Sequence, residues 1–229
     1  MSSPDFAEIR SRCDGMMRAE VYAAIYEAAK AAPGDMFAEI GTAHGAATVC
    51  LALAARERGG EVWTFDTFSS GGRKQYAADN LEIACANIAH YGLSDMVHIR
   101  KGDAARTVAD LPDRLIGLLM LDADGRIDRD MRRLYDRLAP GATIIIDDCT
   151  DRARAREMGD GAVRVDQKHR ITWLLTKSLE SAGLIVPKPP VNETWFGTKG
   201  EGAISHWTNS AVLGCYRKLV FATAHLPEC

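Results

Sequence analysis

The sequence has no cysteine pair at C-x-x-C spacing, no long apolar run and no excess of basic residues. Its six cysteines are scattered, which argues against a disulfide framework or a zinc site and is typical of reduced thiols. The 28 basic and 31 acidic side chains give a formal net charge of -3, so there is no electrostatic case for binding nucleic acid. No apolar run reaches the roughly 20 residues that span a bilayer, and residues 1–5 lack the pattern of a signal peptide. These absences favour a cytoplasmic protein with neither a nucleic-acid nor a membrane partner.

Length and composition predict one domain with a full core, or one domain plus an appendage. The chain has 229 residues, of which 47% are hydrophobic and 26% are charged, and this is enough for one full core. An apolar stripe predicts a helix over residues 16–32, and the Pro-Gly pair at 33–34 ends it. We expect an N-terminal helical segment at residues 1–34 and a single domain with a C-terminal extension at residues 35–229. A homodimer contact is one role for the N-terminal helix.

Beyond residue 35, short apolar runs alternate with helical patterns. Strands are predicted at residues 36–40, 61–66, 96–100, 116–122 and 142–147, and helices at residues 46–58, 76–91, 128–138 and 162–182. This alternation predicts an α/β fold with a mostly parallel sheet and helices on both faces. The remainder is less regular, with candidate antiparallel strands at residues 184–186, 194–198 and 213–223 and a proline break at 187–190.

Two of the predicted strands end in carboxylates. Residues 118–124 read LLMLDAD and residues 143–148 read TIIIDD. The carboxyl ends of parallel strands share one rim, where ligands of open α/β sheets bind. Carboxylates crowded there need protons or a cation to relieve their repulsion, and hard divalent cations prefer such oxygen ligands. The two endings therefore predict a metal or proton-transfer site, with helix capping as the alternative role for these acids.

A glycine turn follows the first predicted strand. Gly41 and Gly45 flank Thr42, Ala43 and His44 between a strand and an Ala/Leu-rich helix, and such glycines allow a ligand to approach the backbone. The spacing is G-x-x-x-G, without the three glycines of the dinucleotide fingerprint. The second strand ends at Asp66, a position from which a carboxylate can bind both ribose hydroxyls. Together the turn and the acid favour a nucleoside-containing ligand.

Five motifs in order resemble the class I S-adenosylmethionine-dependent O-methyltransferases. Residues 39–45 (EIGTAHG) resemble the first motif of that family, and Asp66 stands where the family has its ribose-binding acid. Residues 87–104 resemble its adenine-side segment, and residues 134–148 are similar to the run before and through its fifth strand. Residues 121–124 (LDAD) most resemble the magnesium-dependent macrocin O-methyltransferase branch, with the catechol O-methyltransferases as more distant relatives. The resemblance implies a Rossmann-like class I methyltransferase sheet, mostly parallel with an antiparallel C-terminal strand.

The resemblance also implies the site. Asp122, Asp147 and Asp148 would be ligands of Mg²⁺ or another divalent cation, and Asp124 would be the base or a further ligand. The catechol enzymes carry a catalytic lysine where this chain has Gly125, so that lysine is missing. The cofactor S-adenosylmethionine would be bound by a larger set of residues at the strand ends: Glu39, Gly41, Thr42, Ala43, Gly45, Asp66, Thr67, Phe68, Asp103, Ala104 and Asp122.

The implied reaction is methyl transfer to a hydroxyl of a small molecule, such as a sugar, a polyketide-type compound or a phenolic diol in natural-product biosynthesis. A divalent cation can orient a hydroxyl pair and lower its pKa, and a nearby base then takes the proton. We expect Asp124 to be that base if the strand conformation persists beyond Asp122, with His169 as the rival and Lys168 as a further catalytic candidate. Residues 147–161 are predicted to be a charged loop, and a lid over the rim is the alternative interpretation.

Two other functions compete with this interpretation. An NAD-type oxidoreductase would use a related fold, but the G-x-x-x-G spacing and the lack of a Tyr-x-x-x-Lys pair argue against it. A non-catalytic nucleoside-binding module would leave the carboxylates at the rim without a purpose. Binding of S-adenosylhomocysteine and of NAD, each with and without magnesium, distinguishes the three.

Overall fold

Strands and helices alternate along the chain as the apolar runs predict. The structure, a computed structural model, describes residues 3–68, 79–157 and 161–223. The helices are α1 (Phe6–Arg12), α2 (Ala19–Ala31), α3 (Ala46–Arg56), α4 (Asn80–His90), α5 (Ala104–Thr107), α6 (Ile127–Leu134), α7 (Lys168–Ser181) and α8 (Asn209–Thr223). The strands are β1 (Met36–Ile40), β2 (Glu61–Asp66), β3 (Val97–Lys101), β4 (Ile116–Leu121), β5 (Leu138–Ile146), β6 (Arg154–Glu157), β7 (Val163–Asp166), β8 (Ile185–Val191) and β9 (Thr194–Lys199).

Seven of the strands form one sheet in the order β3-β2-β1-β4-β5-β9-β8. The first five strands pair in parallel, β9 pairs antiparallel to β5, and β8 pairs antiparallel to β9. The strand order reverses between β1 and β4, which leaves a crevice at their carboxyl ends. The prediction of a mostly parallel sheet with an antiparallel C-terminal strand is confirmed.

The sheet is covered on both faces because β1, β4 and most of β5 are apolar on both sides. One face packs Phe37, Leu118 and Met120 against α2 and α3, in a core that also contains Ile9 of α1. The opposite face packs Ala38 and Leu119 in a second core with α6, α7 and α8. The N-terminal helices are thus part of one core of the sheet. Whether they also make a homodimer contact stays a prediction.

Three predictions for the last third of the chain are wrong. The predicted helix at residues 162–182 begins only at Lys168, because residues 163–166 instead form β7, which pairs antiparallel with β6 of the expected charged loop. The prolines at 187–190 do not break β8, which lies at the sheet edge, where the missing N–H of proline is tolerated. Residues 213–223 are helical within α8, and the apolar content that suggested a strand instead packs α8 against α7.

The structure also refines the boundaries elsewhere. The predicted helix at residues 16–32 begins at Ala19, and a separate helix, α1, precedes it. The predicted helix at 76–91 is described from Asn80, and residues 76–78 of that prediction lie outside the described residues. The described cysteines are all free thiols. Within the described ranges, no helix has both the length and the apolarity that a membrane crossing requires.

Candidate active site

The turn after β1 packs directly onto the end of β4. The Gly41 N–H donates to the carbonyl of Phe65 at 2.9 Å, and the Asp122 N–H donates to the carbonyl of Ile40 at 2.8 Å. Gly41 has a φ of +107°, and a Cβ there would lie 1.8 Å from the Asp122 carbonyl oxygen. No side chain fits at this position, so Gly41 allows the glycine turn and the first acidic strand end to lie side by side.

A chain of buried hydroxyl groups ties the glycine turn to Glu39. Thr48 and Thr64 donate to Glu39 Oε2 at 2.5 and 2.6 Å, and the hydroxyl oxygens of Thr42 and Thr64 lie 2.5 Å apart. Because Thr64 already donates its proton to Glu39, Thr42 is the donor in the second contact. Burial raises the pKa of Glu39 to about 7, although both threonine hydroxyls oppose the shift. The buried Glu39 carboxyl group therefore anchors the glycine turn, through Thr64 to Thr42.

Asp66 organises the next two loops of the rim. Its carboxylate accepts hydrogen bonds from the Ala43 N–H at 2.9 Å and the Phe68 N–H at 2.7 Å. Its carbonyl accepts from the Gly102 N–H at 2.8 Å, which brings the loop after β3 against the end of β2. The predicted cofactor residues of these loops therefore lie together along the rim: Ala43, Asp66, Thr67, Phe68, Asp103 and Ala104. Asp103 is also the N-cap of α5, and its carboxylate accepts a hydrogen bond from the Ala105 N–H at 2.8 Å.

Asp122, Asp147 and Asp148 converge at the ends of β4 and β5. One carboxylate oxygen from each lies within 4.8 Å of the other two. Neighbouring side chains of a strand point in opposite directions, which would separate Asp147 from Asp148. However, β5 ends at Ile146 and Asp148 has a φ of +53°, so both carboxylates reach Asp122. A left-handed conformation is strained for a residue other than glycine, and such strain is concentrated at functional sites.

The environment of these acids disfavours negative charge. Burial raises the pKa of Asp147 to about 7, and Asp122 and Asp148 add to the shift. Burial also raises the pKa of Asp122, with Lys168 opposing and Asp148 reinforcing the effect. Three carboxylates in one partly buried space form an oxygen-only donor set that suits a hard divalent cation. The residues present therefore fit the predicted metal.

The first turn of α7 supplies two basic side chains to this acidic group. Lys168 Nζ lies 2.7 Å from Asp148 Oδ2 and 3.3 Å from Asp122 Oδ1. Burial lowers the pKa of Lys168, but Asp122 and Asp148 outweigh it and hold the pKa above its usual range. His169 is 2% exposed, and its Nε2 lies 2.9 Å from Asp148 Oδ1. The structure thus brings both predicted basic candidates to the metal-ligand candidates.

Lys168 packs over Gly125. A Cβ at Gly125 would lie 3.3 Å from Lys168 Cγ, so a larger residue at position 125 would press on the lysine stem. Gly125 is also in the left-handed region, with a φ of +80°. The sequence has no lysine at position 125, but Lys168 of α7 reaches the same acids instead.

The structure does not bring Asp124 to the other acids. β4 ends at Leu121, so the strand conformation on which the base assignment depended does not persist. The Asp124 carboxylate accepts from the Arg126 N–H at 3.0 Å and pairs with Arg129 at 3.1 Å, and its side chain is 55% exposed. In this position Asp124 stabilises the turn that precedes α6.

Sequence reasoning missed the contribution of the β8–β9 turn. Thr194 donates to Asp147 Oδ1 at 2.5 Å, and the carbonyl of Glu193 accepts from the Cys149 N–H at 2.8 Å. Glu193 Oε2 lies 3.8 Å from His169 Nδ1. A threonine at the start of a strand has no distinctive sequence signal, so only the pairing of β9 with β5 reveals these contacts.

His44 makes local contacts within the glycine turn region. Its Nε2 lies 3.2 Å from Asn80 Oδ1, its carbonyl accepts from Asn87 Nδ2 at 2.9 Å, and its Nδ1 lies 3.8 Å from Asp14 Oδ2. The loop between α1 and α2 therefore covers the outer side of the turn.

Comparisons with known proteins agree with this geometry. Residues 38–149 match a family model described as "Methyltransferase domain". Similar solved structures include an O-methyltransferase from Bacillus cereus in complex with S-adenosylhomocysteine, with 15% identity, a TM-score of 0.65, and 88% of this chain and 92% of that chain covered. No curated protein sequence matches the chain.

Two further solved structures show the same fold. The O-methyltransferase TomG from Streptomyces achromogenes, in complex with S-adenosylmethionine, has 13% identity and a TM-score of 0.63, with 88% of this chain and 92% of that chain covered. The S-adenosylhomocysteine-bound methyltransferase PaMTH1 from Podospora anserina has 13% identity and a TM-score of 0.64, with coverage of 87% and 89%.

Proposed function

We propose that the protein is a metal-dependent O-methyltransferase, and the match of residues 38–149 to a methyltransferase domain model supports this proposal. The cofactor is S-adenosylmethionine, and the acceptor is a hydroxyl group of a small molecule. One observation carries the proposal: Gly41 of the cofactor turn contacts the backbone of Asp122, which is also a member of the three-carboxylate group. A methyl donor in the turn and a hydroxyl held by the acids would therefore be neighbours.

The rim from Glu39 to Ala104 suits the proposed cofactor. The backbone N–H of Ala43 and the carboxylate of Asp66 are already oriented by their mutual hydrogen bond. A carboxylate at the end of β2 can accept from both hydroxyls of a ribose. The negative charge of the rim also favours a cationic sulfonium compound.

The three acids suit the proposed metal. Asp122, Asp147 and Asp148 would hold Mg²⁺ or a similar divalent cation, and when bound it would orient the acceptor hydroxyl and lower its pKa. The backbone holds these acids in place, through the left-handed turn at Asp148 and the hydrogen bond from the Asp122 N–H to the Ile40 carbonyl. Positioning of the two reactants accounts for a large share of the acceleration in such a displacement.

We place Lys168 next to the acceptor oxygen. Its ammonium group is bound to Asp122 and Asp148, and its side chain is 21% exposed, so it can contact a ligand that lies over the acids. A positive charge there stabilises negative charge that develops on the attacking oxygen. His169 is 2% exposed and contacts Asp148 through Nε2, so we assign it no direct contact with the acceptor.

The similar structures support O-methylation as the reaction. The protein from Bacillus cereus is described as an O-methyltransferase, and TomG is described as involved in tomaymycin synthesis. For this chain we propose a hydroxylated natural product, such as a sugar, a polyketide-type compound or a phenolic diol. Assignment to the macrocin O-methyltransferase branch remains part of this proposal and rests on residues 121–124.

The test combines binding with turnover. Calorimetry of the full chain should detect S-adenosylhomocysteine but not NAD. Incubation with methyl-labelled S-adenosylmethionine and pooled natural-product diols should yield methylated products that chelator abolishes and Mg²⁺ restores. Asp147→Ala should bind S-adenosylhomocysteine normally and form no product. Full turnover in excess chelator would overturn the metal-dependent mechanism, and binding of NAD in place of S-adenosylhomocysteine would overturn the reaction class.

A further inference from the structure

The Lys168 ammonium group is bound to two of the three clustered acids. Its Nζ lies 3.3 Å from Asp122 Oδ1 and 2.7 Å from Asp148 Oδ2, so it bridges the acid after β4 and an acid after β5. Hydrogen bonds between charged groups are roughly twice as strong as those between neutral groups. Lys168 is thus a built-in counter-ion for two of the acids that would hold a divalent cation.

His169 contacts the other oxygen of Asp148 and is held in place. Its Nε2 lies 2.9 Å from Asp148 Oδ1, and its Nδ1 lies 3.4 Å from the Thr150 hydroxyl oxygen and 3.8 Å from Glu193 Oε2. His169 is also 2% exposed, so its ring is surrounded by protein. Carboxylates that bind metals are commonly hydrogen-bonded to such a neighbour, so His169 can keep its contact when Asp148 is a ligand.

Lys168 cannot keep its contacts in the same way. Its ammonium group places a positive charge between Asp122 and Asp148, where a divalent cation would be bound, and like charges so close together in a partly buried site repel strongly. The lysine side chain is 21% exposed and its four-carbon stem is flexible, so it can turn away. Its backbone can stay in place, because the Lys168 N–H donates to Asp166 Oδ1 at 3.0 Å and its carbonyl accepts from the Thr172 hydroxyl at 2.8 Å.

We propose that Lys168 is an internal competitor of the divalent cation: its ammonium group and the cation exclude each other at Asp122 and Asp148, so that metal binding requires the lysine side chain to turn away. The inference rests on the proposed function, because it concerns the same metal site. It adds a residue that lowers the metal affinity without being a ligand. The same movement directs the ammonium group toward an acceptor that lies over the acids.

Lys168→Met tests the competition, because methionine keeps a flexible, unbranched stem and has no charge. Titration calorimetry of the full chain with MgCl₂, at one pH above neutrality, gives the affinity. We expect Lys168→Met to bind Mg²⁺ about 10- to 100-fold more tightly than wild type, the change in an equilibrium constant that corresponds to one hydrogen bond between charged groups. Lys168→Arg keeps the positive charge and is the matched control, with an affinity no higher than that of wild type expected.

Lys177→Met controls for the loss of one positive charge from α7. The Lys177 ammonium group is bound to Glu180 at 2.7 Å and is partly exposed, so its charge is screened and the Mg²⁺ affinity should stay within about twofold of wild type. Thermal melts establish that each variant is folded and provide a second measurement. At the same MgCl₂ concentration, Mg²⁺ should raise the Tm of Lys168→Met more than that of wild type. Lys168→Gln, which is also neutral, takes the place of Lys168→Met should the latter not fold.

The outcomes separate this inference from the proposed function. An Mg²⁺ affinity of Lys168→Met equal to or below that of wild type would overturn the inference while the metal site stands. An equal gain of affinity in Lys168→Arg would show that the charge is not the competitor, and it would overturn the inference as well. Failure of both wild type and Lys168→Met to bind Mg²⁺ would overturn the metal role together with the inference built on it.

Discussion

Lys168 Nζ lies 2.7 Å from Asp148 Oδ2, so a cationic side chain from α7 is bound to an acid that follows β5. If Lys168 stabilises the attacking oxygen, Lys168→Met should reduce the rate of methyl transfer by about 10²–10³-fold, the usual effect of losing one such stabilising group. Cofactor affinity should stay near wild type, because Asp122 is the one predicted cofactor residue, among those that the structure describes, with a recorded contact to Lys168, and that contact is with its ammonium group. Single-turnover kinetics measures the rate, and Lys168→Arg, which keeps the charge, should lose less. Normal turnover in Lys168→Met would remove the lysine from the reaction.

Asp124 offers the contrasting case. Its ion pair with Arg129 is partly exposed and lies on the side of α6, so Asp124→Asn should keep turnover within a few-fold of wild type and change the free energy of unfolding by no more than about 1 kcal/mol. A loss of two to four orders of magnitude, the usual contribution of a general base, would instead restore Asp124 as the base. The same assay on His169→Gln shows whether the proton leaves by way of His169.

The cofactor site is tested at Asp66. Its two hydrogen bonds to backbone N–H groups orient the carboxylate toward the rim. Asp66→Ala should weaken S-adenosylhomocysteine binding by roughly 1–3 kcal/mol, the scale of losing hydrogen bonds to a charged group. Calorimetry measures the affinity, and Asp110→Ala, on the surface beyond α5, is a control with unchanged binding expected. Wild-type affinity in Asp66→Ala would remove this acid from the cofactor site.

Glu39 should make the stability of the protein depend on pH. Its pKa is raised from 4.5 to about 7 by burial, so the folded chain holds an extra proton between these values, and stability falls as pH rises through that range. Glu39→Gln mimics the protonated form and removes this effect, and the full shift corresponds to about 3 kcal/mol.

Urea unfolding of wild type and Glu39→Gln at a series of pH values provides the measurement. The stability of the variant relative to wild type should increase from pH 4.5 to pH 7 and stay constant above pH 7. A difference that does not vary with pH would contradict a raised pKa at Glu39. Thr48 and Thr64 remain hydrogen-bond donors to the glutamine oxygen, so the anchor of the glycine turn is preserved.

The sequence by itself determined the first five strands and the place of the site. Residues 116–121 and 142–146 are continuous apolar runs, and both are buried in the structure. A run of this kind is recognised from adjacent residues alone, so the sequence is sufficient to predict a buried strand. Because carboxyl ends of parallel strands meet at one rim, the acids at 122 and 147–148 had to lie near the glycine turn. Local pattern and parallel topology were sufficient for these conclusions.

The tertiary structure alone decided how β8, α8 and the basic side chains are used. The prolines of β8 are tolerated only because that strand lies at the edge of the sheet, and α8 is helical where its apolar content equally suited a strand. Asp124 turned away to Arg129 because β4 ended at Leu121. Lys168 and Thr194 reach the acids across 46 and 47 residues of sequence, and such contacts depend on where whole elements pack. No periodicity or spacing within a local window contains that information, since it arises from the packing of α7 and β9 against β5.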